Sequence, residues 1–587
     1  MVRQRETRAT GADTEAVLLF TAIGAVIVVV GGVWVSLHTA ARLDHHPAPA
    51  ANPFTLIVQV VSRQQAWPRA ATYVAAAIGL VLLVLAVLVT VLGVRRGSGR
   101  LRSDAATRYL ARPRDVAHLT EKPSLAKAKR LGVTVANPGV PIGRYLLGGA
   151  MLYGSWEDMH VDIAGPRTNK TTARVIPTVL AAPGAVLVTS NKRDVVDATR
   201  DPRDQVGTVW IFDPQQVADE PPAWWWDPLT YVTDEVQAEK LAAQFAASSR
   251  RPGARTDAYF DGEAENLIGL LLLAAAEAGK PIVTVYSWLT APADLTPART
   301  LADRGYPLQA DSLEALSTLP DKQRDGVYGT ARALMGFLRN RRTITWVTPP
   351  TGHREAFDPR QFAGSTDTLY LLSREGDGSA GPLVAALTVA VVEAAETLAT
   401  RSPGGRLPVP LVAVLDEAAN ICRFRNLDSY YSHFGSRGIV ILTILQNWAQ
   451  GEEVWGKAGM EKLWSAANIK LYGGGVDDDR FLRRLSDLIG SYDRVMTSES
   501  HSRGHGRQRS RSVQERTILT IAELRELPRG RAILFASGTP AAMIEPQPWY
   551  DNPTTGAVVQ ASIDNHTPTA LDGAEVSGSS TGRGSAA

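Results

Sequence analysis

Residues 164–172 read Ala164-Gly165-Pro166-Arg167-Thr168-Asn169-Lys170-Thr171-Thr172. They lie between a strand-like run, His160 to Ile163, and a helix-like run, Thr172 to Leu180. A phosphate-binding loop needs this strand–loop–helix context, because its backbone N–H groups and the N-terminus of the helix surround the phosphates. The pattern therefore predicts a nucleotide site over residues 165–172. An ordinary strand–turn–helix with one lysine is the alternative.

Single positions of this loop carry separate expectations. Lys170 is expected to reach the β- and γ-phosphates of ATP, and the Thr171 hydroxyl is expected to ligate Mg²⁺. The usual pattern has glycine at the first and sixth positions, where this chain has Ala164 and Asn169. Because asparagine tolerates a positive φ better than most residues, we expect Asn169 to adopt that conformation. The departure bears more on the rate of hydrolysis than on nucleotide binding.

A second apolar run ends in two carboxylates. Residues 410–417 read Pro-Leu-Val-Ala-Val-Leu-Asp-Glu, which suits a central parallel strand with both faces covered. Asp416 is predicted to hold Mg²⁺ through water, and Glu417 to activate the attacking water. A third strand, Gly438 to Leu445, ends in Gln446, which is predicted to sense the γ-phosphate. A solvated strand end is the alternative for the acidic pair alone, but the three elements in this order are more specific.

Length and composition limit the classes of protein. A chain of 587 residues suggests three or four folding units. Its 62 basic and 59 acidic residues leave a net charge of +3, so no global field selects nucleic acid. The one cysteine, Cys422, excludes an intramolecular disulfide and fits a reducing compartment. No metal-ligand or catalytic pattern surrounds Cys422, which is therefore interpreted as a small buried side chain.

The N-terminal region predicts a membrane anchor. Residues 16–38 and 70–94 are free of Asp, Glu, Lys and Arg, and each is long enough as a helix to span a bilayer core of about 30 Å. Arginines precede the first run and follow the second. This bias predicts that both termini and the remaining chain lie in the cytoplasm.

The remaining sequence alternates strands and helices, which indicates an α/β fold with a mostly parallel sheet. Further candidate strands are Ala185–Thr189, Thr208–Phe212, Thr368–Leu372, Ile469–Tyr472 and Ala532–Ala536. The predicted organisation is a cytoplasmic N-terminus (1–15), the anchor (16–94), a linker (95–145), an ATPase domain in two parts (146–286 and 347–553), an all-α insertion (287–346) and a disordered tail (554–587).

Several motifs together resemble the type IV coupling proteins, the membrane-anchored ATPases of conjugation and type IV secretion. The resemblance covers the two N-terminal spans and then runs from Ala164 to Pro528. It includes Arg167 and Ile176-Pro177-Thr178 in the loop and helix, Phe212-Asp213-Pro214, Trp226-Asp227-Pro228-Leu229, Leu415-Asp416-Glu417-Ala418-Ala419-Asn420, Ser436-Arg437-Gly438, Leu445-Gln446-Asn447 and the leucine-rich segment Leu519 to Pro528.

This resemblance implies a RecA-like P-loop ATPase that carries an all-α insertion and assembles as a homo-hexamer beneath the inner (plasma) membrane of a bacterial cell. The implied activity is ATP hydrolysis coupled to DNA translocation, which brings single-stranded DNA with its relaxase to a type IV secretion channel. The implied ligands are ATP and Mg²⁺, with Lys170, Thr171, Asp416, Glu417 and Gln446 in the roles given above. In the family's manner, Arg437 is expected to act as an arginine finger on the neighbouring subunit. A structural salt bridge is the alternative for Arg437.

Two other motifs and two other functions stay open at this point. Trp224-Trp225-Trp226 either stacks on bases or, as we favour, packs in the core. The basic run His501 to Ser512 either contacts phosphates or is a solvated flexible loop. The first alternative function is a double-stranded DNA translocase of the septal type, and the second is a non-hydrolysing adaptor that recruits substrates for protein secretion.

Overall fold

The computed structural model describes residues 11–45, 47–97, 102–133, 137–250, 257–376, 379–501 and 507–568. The chain divides into two compact units, Met1–Arg102 and Ser103–Ala587. We describe each unit by itself.

The strands of the second unit occur along almost its whole length. They are β1 (Val140–Tyr145), β2 (Met151–Gly154), β3 (His160–Ile163), β4 (Val186–Ser190), β5 (Val209–Phe212), β6 (Trp224–Trp225), β7 (Glu355–Ala356), β8 (Thr368–Leu372), β9 (Leu411–Leu415), β10 (Ile439–Leu445), β11 (Ile469–Tyr472), β12 (Ser491–His501), β13 (Arg507–Thr517), β14 (Ala532–Ala536) and β15 (Ala542–Glu545).

Helices fill most of the intervals between these strands, and three more form the first unit. They are α1 (Gly11–Leu43), α2 (Pro53–Val61), α3 (Arg69–Gly97), α4 (Glu121–Arg130), α5 (Ile176–Ala181), α6 (Asp194–Asp204), α7 (Glu235–Ser249), α8 (Ala258–Glu277), α9 (Val283–Leu289), α10 (Thr296–Asp303), α11 (Pro307–Ser317), α12 (Asp321–Leu334), α13 (Arg341–Thr345), α14 (Pro359–Ala363), α15 (Gly381–Arg401), α16 (Ala418–Ile421), α17 (Leu427–Tyr430), α18 (Trp448–Ala466), α19 (Asp479–Ile489), α20 (Ile521–Arg525) and α21 (Pro553–His566).

Eleven strands in the described part of the chain form one large sheet, in the order β2-β1-β15-β14-β11-β3-β10-β9-β4-β8-β5. The seven strands from β11 to β5 pair in parallel, whereas the four at the other end pair antiparallel. Every residue of β3, β4, β8, β9 and β10 is buried, as expected of apolar strands with helices on both faces. The predicted α/β fold with a mostly parallel sheet is therefore confirmed.

The strand order places the three sequence motifs at one edge. Strand β10 lies between β3 and β9, with Leu445 opposite Ile163 and Thr443 opposite Leu415. Because the three strands are parallel, their carboxyl ends meet at the same edge of the sheet. The loop after β3, the acidic pair after β9 and Gln446 after β10 therefore converge.

The predicted linker over residues 95–145 is wrong for the part that the structure describes from Ser103 onward. This segment contributes α4 and β1 to the second unit, and β1 joins the large sheet beside β15. Ala111, Leu119 and Ile142 are buried in one apolar cluster with residues of β14 and β15. The sequence showed no regular period here, because these short elements are held by contacts with distant strands rather than by their own pattern.

The region predicted as an all-α insertion, residues 287–346, contains helices and turns without a strand in the described range 257–346. The helical packing also reaches further back along the chain than expected, because α8 contacts α7, α10 and α12. Residues 553–566, assigned largely to the disordered tail, instead form α21, which begins with an Asn552 cap and Pro553. Residues 507–512 of the basic run His501 to Ser512 lie in β13, paired with β12. Of the two interpretations left open for this run, the flexible loop is wrong for these residues, and contact with phosphates stays a prediction. Residues 569–587 lie outside the described part.

Helix α21 is stabilised by packing against α5 and α6. Its Val559 is fully buried against Ile176 of α5 and Ala198 of α6. The Ser562 hydroxyl donates to the Asp197 carbonyl over 2.6 Å. The Gly- and Ser-rich composition after residue 566 concealed this short amphipathic segment from sequence reasoning.

The first unit contains the two predicted spans within α1 and α3, of 33 and 29 residues. Among residues whose side chains are described, the apolar parts of these helices, Ile27–Leu43 and Arg69–Val84, are shorter than a membrane span. The one described helix that meets the length and hydropathy of a span is α15, and 67% of its apolar window is buried, which marks a core helix. The described residues therefore do not support two spanning helices, and the anchor stays a prediction.

Candidate functional site

The loop between β3 and α5 has the backbone geometry of a phosphate-binding turn. Arg167 and Asn169 have φ of 60° and 63°, so the expected positive φ of Asn169 is confirmed. The Lys170 ammonium donates to the Ala164 carbonyl over 2.8 Å and to the Gly165 carbonyl over 3.4 Å. These bonds fold the lysine back over the loop. A π-helical turn, Thr171–Val175, then leads into α5.

A second turn supports this loop, and sequence reasoning missed it. Gly165 N–H donates to the Gly474 carbonyl over 2.9 Å. A Cβ at Gly165 would lie 1.9 Å from the Gly475 oxygen, closer than any side chain can approach. Gly474 and Gly475 have φ of 77° and 71°, a conformation that favours glycine. The signal was the glycine triplet 473–475 directly after β11.

Asp416 is a buried carboxylate, and one of its oxygens makes no hydrogen bond within the described residues. The residue is 5% exposed, and its Oδ1 has no hydrogen-bond partner among the described residues. Burial raises the pKa of Asp416 from 3.8 to about 7, the Glu417 carboxylate adds to the rise, and Lys170 opposes it. A buried acid without a partner is costly unless a cation compensates it. The position therefore fits a Mg²⁺ site, with Thr171 as the second expected ligand.

Glu417 and Gln446 are in direct contact. The Gln446 Nε2 donates to both carboxylate oxygens of Glu417, over 2.9 and 2.8 Å. Glu417 itself has a φ of 54°, in the left-handed region. The predicted base and the predicted γ-phosphate sensor are thus brought together, by the ends of two neighbouring strands.

The charges of the two motifs also act on each other. Burial lowers the pKa of Lys170, while the Glu417 and Asp416 carboxylates oppose this fall. A phosphate beside Lys170 would add negative charge and favour the ammonium form further. The site therefore places the Lys170 ammonium near the Asp416 and Glu417 carboxylates. Lys192 further lowers the pKa of Lys170, and Asp194 further raises that of Asp416.

Arg437 lies away from this site within the same chain. It precedes β10, whereas Gln446 follows β10, and seven residues of strand separate the two edges by about 20 Å. Its Nη1 donates to the Thr400 hydroxyl over 2.6 Å, and its Nε is 3.5 Å from the Glu396 carboxylate. These contacts correspond to the structural alternative, and any contact with a phosphate would have to involve another subunit.

The tryptophan triplet and the cysteine have structural environments. Trp226 is fully buried, and Trp224 packs edge-on against Trp346 with ring centroids 5.5 Å apart. The favoured interpretation, packing in the core, is therefore confirmed for Trp224 and Trp226. Cys422 is fully buried, and burial raises the pKa of its thiol to about 12. Its interpretation as a small buried side chain is confirmed.

Sequence reasoning also missed a buried ion pair beneath the loop. The Arg174 Nε donates to Asp162 Oδ2 over 2.6 Å, and Nη2 approaches Oδ1 at 3.3 Å and His160 Nδ1 at 3.2 Å. The Arg174 Nη1 also donates to the Pro141 carbonyl. Burial lowers the pKa of His160 well below 6.5, and Arg174 adds to this effect. The pair joins the helix after the loop to the strand before it. The polar positions His160 and Asp162 within a buried strand were the available signal.

The comparisons with known proteins agree with this geometry. A family model described as the TraM recognition site of TraD and TraG matches residues 410–529. This segment contains Asp416, Glu417 and Gln446, together with the hairpin β12–β13.

The unbound monoclinic structure of the bacterial conjugative coupling protein TrwBdeltaN70 aligns with a TM-score of 0.51 and 16% identity, covering 72% of this chain and 91% of that one. At this identity, the likeness shows the fold. A trigonal form of TrwBdeltaN70 in complex with sulphate gives a TM-score of 0.50 and 15% identity, covering 73% of this chain and 93% of that one. No curated protein matches the sequence.

Proposed function

We propose that this protein is a type IV coupling protein, an ATP hydrolase that brings relaxase-bound single-stranded DNA to a type IV secretion channel. The observation that carries the proposal is the convergence of Lys170, Asp416, Glu417 and Gln446 at the carboxyl edge of one parallel sheet. Such an arrangement has a phosphate-binding lysine, a cation-holding carboxylate and a base beside a sensing amide, which are the parts that phosphoryl transfer to water requires.

Each of these residues has a defined task in this proposal. The N–H groups of residues 165–172 and the Lys170 ammonium bind the phosphates of ATP and orient the γ-phosphorus. Thr171 and Asp416 hold Mg²⁺, which when bound supplies positive charge for the phosphate oxygens. Glu417 orients the attacking water and takes its proton. Gln446 covers both oxygens of Glu417 until its amide turns to the γ-phosphate, and this movement makes the base available.

The translocation part of the proposal rests on the family. TrwBdeltaN70 is described as a bacterial conjugative coupling protein, and the matched segment as a TraM recognition site. By extension, we propose contacts with the DNA-processing proteins of conjugation, a homo-hexameric ring, and a membrane anchor formed by α1 and α3. In that ring, Arg437 at the amino edge of the sheet would reach the ATP site of a neighbouring subunit.

Hydrolysis by the purified full-length chain tests the proposal, with and without single-stranded DNA. We expect Mg²⁺-dependent ATP turnover that rises with DNA and with protein concentration, because a ligand that bridges subunits favours the ring. Binding of DNA should weaken as salt rises, since phosphate contacts release counterions. Lys170→Ala should bind no fluorescent ATP analogue. Nucleotide binding without turnover, unaffected by DNA, would instead favour the substrate-recruiting adaptor.

A further inference from the structure

The side chain of Asn420 lies between two carboxylates at the site. Its Nδ2 donates to Glu417 Oε2 over 3.1 Å and to Glu375 Oε1 over 2.9 Å. Its backbone N–H also donates to the Glu417 carbonyl, over 2.8 Å. Because an ionised carboxylate only accepts hydrogen bonds, both neighbours require the NH₂ side of the amide. The orientation of the Asn420 amide is therefore fixed by its two partners.

Glu375 also accepts a hydrogen bond from a residue that follows a third strand. Asn191 Nδ2 donates to the same Glu375 Oε1 over 3.1 Å. Asn191 follows β4, Glu375 follows β8, and Glu417 follows β9, and these strands are neighbours in the order β9-β4-β8. A continuous series of hydrogen bonds, Asn191–Glu375–Asn420–Glu417, therefore crosses the carboxyl edge of three strands. Glu375, which follows the outermost of these three strands, is exposed at the surface.

The two oxygens of Glu417 are not equivalent in this arrangement. Within the described residues, Oε1 accepts a side-chain hydrogen bond from Gln446, whereas Oε2 accepts one from Gln446 and one from Asn420. If Gln446 turned to a γ-phosphate, as the proposed function requires, Asn420 would remain on Oε2 and Oε1 would become free. The left-handed backbone of Glu417 is strained and persists only where its surroundings hold it.

We propose that Asn420 is a positioning residue for ATP hydrolysis, an inference that rests on the proposed function. Held by Glu375, it fixes Oε2 of Glu417 and directs Oε1 towards the attacking water. In the step itself, the water oxygen forms a bond to the γ-phosphorus, and its proton passes to Oε1. The bond between the γ-phosphorus and the bridging oxygen breaks, and its electron pair leaves with ADP.

The test compares Asn420→Ala with Asn426→Ala in the full-length chain. Asn426 is a matched control, because it lies six residues further on the same segment, is exposed and makes no side-chain capping bond. Asn420→Ala should lower kcat by about tenfold to a hundredfold, because a misplaced catalytic group costs that much, with ATP affinity changed less than twofold. Asn426→Ala should leave both unchanged.

Two further measurements separate positioning from mere stability. In a Glu417→Gln background, Asn420→Ala should have no additional effect on residual turnover, because the group it positions is gone. Glu375→Ala should reproduce part of the loss from an exposed position, and Glu375→Gln, which keeps an acceptor oxygen, should lose less. These variants keep the test decisive if Asn420→Ala fails to fold.

The possible outcomes separate failure of this inference from failure of the proposed function on which it rests. Wild-type turnover with an inactive Glu417→Gln and an unchanged Asn420→Ala would overturn the positioning role and leave the ATPase in place. Losses that add in the Glu417→Gln background, or that follow weaker ATP binding, would show a structural role and overturn it too. An inactive wild type would overturn the proposed function and, with it, the inference.

Discussion

Asp416→Asn should stabilise the nucleotide-free protein while abolishing its turnover. The wild-type carboxyl is buried, and its pKa is raised from 3.8 to about 7. At about 1.4 kcal/mol per pKa unit, this difference corresponds to roughly 4 kcal/mol of destabilisation when Asp416 is ionised. The asparagine amide would need a new hydrogen-bond acceptor at a cost of about 1–3 kcal/mol, which leaves a net gain of about 1–3 kcal/mol.

The difference in stability between wild type and Asp416→Asn should depend on pH. Because the folded-state pKa is above the unfolded one, the folded state binds more protons between pH 4 and 7. The contribution of Asp416 to stability is therefore fully present below about pH 4 and is lost as pH rises through about 7. The variant has no such group, so its advantage over wild type should be largest at pH 8 and should shrink towards pH 4.

Thermal unfolding of both proteins without nucleotide, at several pH values, measures this difference. Addition of Mg²⁺ should stabilise wild type and leave Asp416→Asn unchanged, because the cation removes the cost of the ionised carboxylate. A variant that melts below wild type at pH 8, or a difference that grows as pH falls, would refute the argument that burial dominates at this carboxyl.

Other predictions follow from the loop and from the assembly. Asn169→Gly should leave kcat equal or higher, because glycine removes strain of about 1 kcal/mol, and a large fall would show a side-chain role. Gly165→Ala should displace the turn at Gly475 and weaken ATP-analogue binding in a fluorescence titration; unchanged affinity would contradict the close contact. Mixing Lys170→Ala with Arg437→Ala subunits should restore some turnover, because some interfaces pair two intact residues. No rescue in rings confirmed by sedimentation would exclude Arg437 as a residue acting between subunits.

The central strands could be predicted because the local pattern of their sequences indicates a strand. The runs at His160–Ile163, Thr368–Leu372, Ile469–Tyr472 and Ala532–Ala536 form strands with the predicted bounds. The last three are short, largely apolar segments between turns, which suits a strand in the interior of a sheet. The loop and the acidic pair could be placed at one edge for a related reason, since parallel strands end together.

The elements that the sequence did not reveal are those held by distant contacts. Strands β1 and β15 pair with each other across about 400 residues of chain, and neither has a strong pattern. Helix α21 depends on apolar positions of α5 and α6 that only the fold brings near. The Gln446–Glu417 contact and the Asn420 bridge likewise need the register of β9 and β10, and a motif alone does not give which side chains meet.

Glu417→Gln tests the central claim most directly, because the substitution keeps the size of the side chain and removes only its capacity to take a proton. Steady-state hydrolysis and ATP-analogue binding should be measured on the same preparations of wild type and variant, with single-stranded DNA present. The account predicts unchanged nucleotide affinity and turnover lowered at least a hundredfold, about 2.7 kcal/mol in the barrier. Turnover within about twofold of wild type, at equal affinity, would show that another group is the base and would contradict the account.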